Sequence, residues 1–161
     1  MNTPQKAKLT ASSPVLLVKD IASAANHYRD AMGFHYDRFW GEPPNFVILQ
    51  RDGMFVMLRQ ADDPTHVVPH WKVANKLWNI YFWVSDVDAL HSEFVKRGAK
   101  IDYGVCDQPY GCREFGTQDL DGHDIGFGKI IEQTEDPLHL LYDSALPFAR
   151  AYAHNQSASK I

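Results

Sequence analysis

Pro14-Val15-Leu16-Leu17-Val18-Lys19-Asp20-Ile21 is answered 66 positions later by Ile80-Tyr81-Phe82-Trp83-Val84-Ser85-Asp86-Val87, an apolar run that ends on Val-x-Asp in both places. Tyr28 corresponds to Phe94 at the same offset, and Gly33 and Gly98 close the two stretches. Further on, Asp52-Gly53 ahead of Met54-Phe55-Val56-Met57-Leu58 recurs as Asp121-Gly122 ahead of His123-Asp124-Ile125-Gly126-Phe127, at an offset of 69. The small change of offset fits a loop of different length. A repeat this long is a whole supersecondary module rather than a solenoid unit. Two related halves with a cavity between them are therefore expected in one pseudo-symmetric domain.

Each half reads as strand, helix, strand, strand, strand, which makes the fold class α+β with two tandem βαβββ modules. In the first, Pro14 to Val18 is a short apolar run bounded by polar residues, the pattern of a buried strand. Asp20 stands at the N-cap, Ile21, Ala24, Ala25, Tyr28 and Met32 recur at helical spacing, and Gly33 is the stop. Strands are predicted over 34–40, 46–50 and 54–60, with Glu42-Pro43-Pro44-Asn45 and Arg51-Asp52-Gly53 as turns. The second half gives a strand over 79–84 and a helix from Asp86 to Arg97 with Val87, Leu90, Phe94 and Val95 inward. Strands follow over 100–106, 113–118 and 124–129. The modules span 12–60 and 79–130. Between them 61–78 reads as a linker, because Pro64, Pro69 and clustered turn formers prevent a regular element. The remaining 131–161 reads as a C-terminal helical tail, with Leu138, Leu141, Tyr142, Ala145, Phe148 and Tyr152 as a stripe broken at Pro147. All 161 residues are expected to form one domain.

Composition narrows the function classes. The net charge is −4, and the 16 Lys and Arg are scattered, so the basic footprint of a nucleic-acid binder is missing. A mildly acidic surface suits a cationic ligand. No apolar run is long enough to span a bilayer, and Met1-Asn2-Thr3-Pro4-Gln5-Lys6 lacks a signal-peptide core, so a cytoplasmic protein without a membrane partner is expected. Cys106 and Cys112 are expected to be reduced and packed.

With those motifs read, the chain resembles the vicinal oxygen chelate superfamily of glyoxalases, bleomycin-resistance proteins and dioxygenases. The likeness rests on Val-x-Asp opening each helix, on Tyr28 followed by Met32-Gly33-Phe34, and on Tyr110-Gly111-Cys112-Arg113-Glu114-Phe115 leading into Asp119-Leu120-Asp121-Gly122-His123. The last segment is the most specific and is similar to the bleomycin-resistance branch. The resemblance implies that each module curls into a half-barrel with its helix outside, that the halves form a cleft, and that the protein is a homodimer with both chains contributing to the clefts.

Enzymes of that superfamily hold a divalent metal at four strand positions, which the resemblance carries onto Ser13, Met57, Asn79 and Gly126. None is His, Asp or Glu; Gly126 has no side chain and Met57 is a soft thioether, so no metal and no cofactor is expected. Substitute ligands are poorly placed. His66 and His70 have i, i+4 spacing but flank Pro69 in the linker, where solvated histidines are the plain alternative. His123 follows a turn glycine, His91 lies on an apolar helix face, and His27 and His35 read as surface positions. No Gly-x-Ser-x-Gly, phosphate loop or His-Glu-x-x-His is present. Arg113 and Glu114 are adjacent on a strand and point to opposite faces, so only one of them can line a cleft.

The aromatic residues are the remaining signal. Trp71 and Trp78 lie in or beside a linker, where large aromatics cover something: a cleft, a flat ligand or a second subunit. The expected function is sequestration, without chemical change, of a planar aromatic, bleomycin-like molecule. Trp40, Phe46, Trp71, Trp83 and Tyr110 would stack on it or line the cleft, Arg113 or Glu114 would add polar contacts, and Asp62, Asp63 and Asp107 would add negative rim potential. Core packing is the alternative for many of the aromatics. A lyase or dioxygenase of the same superfamily with displaced ligands is the second reading, and an interaction module whose clefts are filled by its own aromatics is the third.

Overall fold

The computed structural model describes Ala7 and residues 9–131. The tail stripe expected from Leu138 to Tyr152 lies outside the described residues. Two βαβββ units account for nearly all regular structure. The first contains β1 (Val15–Val18), α1 (Ile21–Met32), β2 (Phe39–Trp40), β3 (Phe46–Arg51) and β4 (Met54–Gln60). The second contains β5 (Ile80–Trp83), α2 (Val87–Arg97), β6 (Lys100–Gln108), β7 (Cys112–Gln118) and β8 (Asp124–Ile130). Each forms one four-stranded sheet, in the orders β1-β4-β3-β2 and β5-β8-β7-β6. In both, the first and last strands of the unit run parallel and the rest are antiparallel. The internal repeat is therefore a repeat of topology.

Local chemistry explains the helices. The Asp20 carboxylate accepts from the Ser23 N–H at 2.7 Å and Asp86 from the Ala89 N–H at 3.0 Å, and both aspartates are extended, as N-caps are. Gly33 and Gly98 end the helices in the left-handed region at φ 69° and 80°, a conformation that costs glycine nothing. The helices are buried on one face only: Ala24, Ala25, Tyr28 and Met32 in α1, Val87 and Phe94 in α2.

One core joins the units. α1 covers β3 and β4, α2 covers β6, β7 and β8, and the helices touch each other. Tyr28, Phe34, Leu49, Leu58, Phe94, Phe115, Ile125 and Phe127 belong to one buried cluster, and Phe34 meets Phe82 across the boundary with ring centroids 6.2 Å apart. Polar bonds cross as well. Tyr28 Oη donates to Asp119 at 3.1 Å, Arg51 donates to Glu93 at 2.8 Å, and the Lys19 N–H donates to Asp121 at 3.1 Å. The two units thus stand back to back through their helices, and the other face of each sheet turns outward. Alternation records this: in β1, Leu16 and Val18 are buried while Val15 and Leu17 are exposed.

Three expectations need correction. The strand predicted over 34–40 is only Phe39–Trp40, because Phe34 is drawn into the core against Tyr28 and Tyr36 Oη donates to Asn26 on α1, leaving a lone bridge from His35 to Gln50. β6 runs to Gln108, past the expected end, and slips register on either side of Tyr103. The linker holds two short 3-10 turns, Pro64–His66 and His70–Lys72.

Candidate functional site

The outward face of the second sheet is built in rows. Register places Tyr81, Gly126, Gly116 and Tyr103 side by side across β5, β8, β7 and β6, and Trp83, Gly128, Glu114 and Cys106 in the next row. The glycines are a floor on which the tyrosines lie. A Cβ at Gly116 would strike the Tyr103 ring, one at Gly128 the Tyr81 hydroxyl, and one at Gly126 would stand 2.5 Å from Tyr81 Cδ2 and 3.0 Å from Trp78 Nε1.

On this floor three phenols converge on one carboxylate. Tyr81 Oη donates to Glu114 Oε2 at 2.7 Å, while Tyr110 and Tyr103 donate to Oε1 at 2.8 and 3.1 Å. Trp78 Nε1 donates to the Tyr103 oxygen at 3.3 Å. Glu114 is 1% exposed, so a carboxylate that would be costly to bury bare is solvated by phenols instead of water. Burial first, and Glu114 beside them, push all three phenols well above the ordinary tyrosine range, so each remains an O–H donor at neutral pH. The same two causes push the buried Cys112 thiol up to about 11. Trp78, Tyr81 and Trp83 continue as an edge-to-face ladder with centroids 4.9 and 5.0 Å apart, ending at Trp83, which is 42% exposed.

The first sheet's outward face carries a second aromatic group. A depression of about 210 Å³ is lined by His35, Tyr36, Asp37, Trp40, Ile48, Gln50 and Phe55. Phe46 leans on Trp40 at 5.9 Å and the Arg38 guanidinium lies 5.1 Å from the Trp40 ring centre.

The residues singled out from sequence therefore fall into three groups. Trp40 and Phe46 come together on the first sheet. Trp83, Tyr110 and Glu114 come together on the second. Trp71 and Arg113 join neither group; of the adjacent pair Arg113 and Glu114, it is Glu114 that lies with the aromatics of the second sheet. Trp71 Nε1 donates to the Gly122 carbonyl at 2.8 Å, pinning the linker to the turn before β8. Arg113 points to the helix side of its strand, where it grips Asp88 through two bonds of 2.7 and 2.8 Å and Asp107 at 2.6 Å. The rim aspartates are likewise engaged: Asp107 with Arg113, Asp62 with Arg59 at 3.4 Å, and Asp63 with the Thr65 N–H at 2.8 Å. Sequence reading missed Phe55, Gln50 and Ile48, whose signal is period-two alternation in β3 and β4. It also missed the convergence of Tyr81 and Tyr103, which depends on pairing between distant strands.

The histidines divide differently from expectation. His123 is buried, its Nδ1 2.8 Å from Asp119 Oδ2, and Asp119 also accepts the His123 and Asp121 N–H groups at 2.9 Å each. Burial would raise the Asp119 carboxyl, but the bonds from His123 and Tyr28 outweigh it and hold it below its usual value. His27, read as a surface residue, is half-buried, its Nε2 without a hydrogen-bond partner among the described residues, because α1 turns that face toward the Asp119 turn.

The residues that the resemblance carries onto the family's metal positions do not fit a metal ion. Gly126 offers no donor and lies under Tyr81, and the Asn79 Oδ1 accepts the His70 N–H at 3.2 Å. Ser13 and Met57 add one weak and one soft donor. Among the described residues no three of His, Cys, Asp and Glu converge as a metal site would need. Cys106 and Cys112 are free thiols.

A family sequence model matches residues 10–127 of this topology. The chain belongs to the glyoxalase/bleomycin resistance protein/dioxygenase superfamily. Among curated proteins none matches it. Of solved structures, TioX from Micromonospora sp. ML1 superposes with a TM-score of 0.59 at 24% identity, covering 75% of this chain and 98% of that one. A bleomycin-binding protein from Streptomyces verticillus, complexed with copper(II)-bleomycin, gives 0.58 at 24%, covering 76% and 97%. A lactoylglutathione lyase from Agrobacterium tumefaciens gives 0.55 at 18%, covering 77% and 96%. A bleomycin-binding protein and a lactoylglutathione lyase thus share the fold with this superfamily member. Within the described residues no helix is long and apolar enough to cross a membrane.

Proposed function

We propose that this superfamily member is a metal-independent, cytoplasmic binder that sequesters a small planar aromatic molecule against the outward sheet faces. The observation that carries the reading is the pairing of two features. The Trp40 depression offers a half-open aromatic surface, and the family's metal positions hold no usable donor set. Ligand pockets are typically apolar with a few placed polar groups, and Gln50, His35 and Asp37 supply those here. The bleomycin-binding relative adds an example of the fold holding such a ligand.

The complete cleft is that of a homodimer. β1 and β5 are edge strands whose outer hydrogen-bonding groups face no neighbouring strand among the described residues, and Val15, Leu17 and Trp83 on them are 58%, 43% and 42% exposed. Such edges are usually covered by another chain. Setting β1 of one protomer beside β5 of its partner would join the Trp40 surface to the Trp83 surface across one cleft. The test is metal analysis of protein purified without chelator, followed by mass spectrometry of bleomycin incubated with it. Substoichiometric metal and bleomycin of unchanged mass are expected. A stoichiometric divalent ion, or a converted product, would instead favour an enzyme.

A further inference from the structure

The outward face of the second sheet is polar at one end and apolar at the other. At the polar end Lys100 donates to Gln118 at 2.6 Å, and Gln118 to Asp124 at 2.8 Å. Beyond them along β7 and β8 the same face holds Gly116 and Gly126, then Glu114 and Gly128, then Cys112 and Ile130. In these rows the only carboxylate, Glu114, is buried. Burial also differs between the two sheets. In β3 it follows the strand period, with Val47 and Leu49 buried and Phe46 and Ile48 only partly so. In β7, Cys112, Glu114 and Gly116 on the outward face are buried together with Phe115 and Thr117 on the inner one. A sheet with one wet face carries polar groups there, and this end of the face does not; at its rim Trp83 and Ile130 are 42% and 40% exposed.

The chain leaves the sheet at that apolar end. The Ile131 N–H donates to the Gly111 carbonyl at 2.9 Å, so residues 132–161 start beside Ile130. Their sequence carries the apolar stripe from Leu138 to Tyr152. A helix over that stripe, bent at Pro147, would be about 20 Å long, against about 15 Å across four strands, and 132–137 extended reaches about 20 Å. After β4, by contrast, the chain enters the linker that Trp71 pins to the turn before β8. We propose that the apolar end of this face is the docking surface for the chain's own segment Leu138 to Tyr152. The proposal goes beyond the small-molecule reading and does not need it; within the proposed cleft the segment would lie between Trp83 and the ligand.

Native Cys106, which shares the Trp83 row and is half-buried, reports on the cover. Its alkylation by iodoacetamide is followed in the ligand-free full chain and resolved from that of Cys112 by peptide mass spectrometry. The rate is expected to be about fivefold or more faster in Leu141→Asp/Phe148→Asp than in wild type, and unchanged in Ser144→Asp, a position off the stripe. An unchanged rate in the double variant, or equal acceleration in Ser144→Asp, would overturn the docking surface. Leu141→p-benzoylphenylalanine, irradiated in an equal mixture of isotope-labelled and unlabelled chains, keeps the test valid if the double variant fails to fold. Cross-links to 78–83 or 128–131 within chains of one isotope are expected. Cross-links only to other segments would overturn the proposal, and cross-links joining the two isotopes would overturn it in favour of a second copy on this face. Neither readout uses a ligand, so failure here leaves the binding reading standing.

Discussion

His27 and Asp119 show how a single side chain couples the two units. Asp119 sits in the turn before β8, yet accepts from Tyr28 on α1, so its carboxylate ties one unit to the other. His27 precedes Tyr28 and faces the same turn, where the charges of Asp119 and Asp30 act on it. Burial lowers its pKa despite those carboxylates, so the folded state holds it neutral more firmly than the unfolded chain does. The sign follows from proton linkage: between the lowered folded value and the ordinary 6.5 the unfolded chain binds more protons, so stability falls as pH drops through that window and is complete above it. The thermal midpoint is expected to fall from about pH 7 to pH 5, and His27→Leu to flatten that slope. An unchanged slope in the variant would assign the pH dependence to another group. Nothing local in the sequence shows this residue as half-buried, because its burial comes from a turn some ninety positions away.

At the scale of elements, the helices were the most legible part of the sequence. Asp20, Gly33, Asp86 and Gly98 are caps whose chemistry is local, so their positions can be read without knowing the fold. The segment after Gly33 reads as a strand over 34–40 but pairs as one only at Phe39–Trp40, because Phe34 and Tyr36 give up sheet pairing for contacts to α1. The same division explains the site. Opposed facing of Arg113 and Glu114 follows from strand geometry alone. The phenol cage does not, since it needs the register of β5, β8, β7 and β6 together. Gly116 and Gly128 are the places where that register is most exacting, because any side chain there enters space held by Tyr103 or Tyr81. Gly116→Val is expected to displace Tyr103 and leave Glu114 short of a donor, lowering stability by about 2–4 kcal/mol in urea denaturation. A loss below about 0.5 kcal/mol would mean that Tyr103 is not packed as described.

For the whole molecule, the back-to-back arrangement has a clear consequence. Each protomer turns two sheet faces outward with apolar edge strands uncovered among the described residues, and in the proposed dimer the binding cleft would be a property of the assembly. Leu17→Glu, at an exposed position on the β1 edge, is expected to convert a dimer into a monomer in analytical ultracentrifugation at micromolar concentration, without loss of helical signal. A wild-type monomer there would place the cleft within single protomers. Repeat, topology and family were readable from the Val-x-Asp and Asp-Gly echoes, whereas the exposed apolar strand edges were not, since edge exposure is visible only once strand order is known. The most direct measurement is a titration with metal-free bleomycin followed by intrinsic tryptophan fluorescence, in wild type and in Trp40→Leu. A saturable change at about one ligand per protomer, weakened about tenfold or more in Trp40→Leu, is the expected result. No change up to about millimolar ligand, corresponding to about −4 kcal/mol, would contradict sequestration of a bleomycin-like aromatic molecule by this protein.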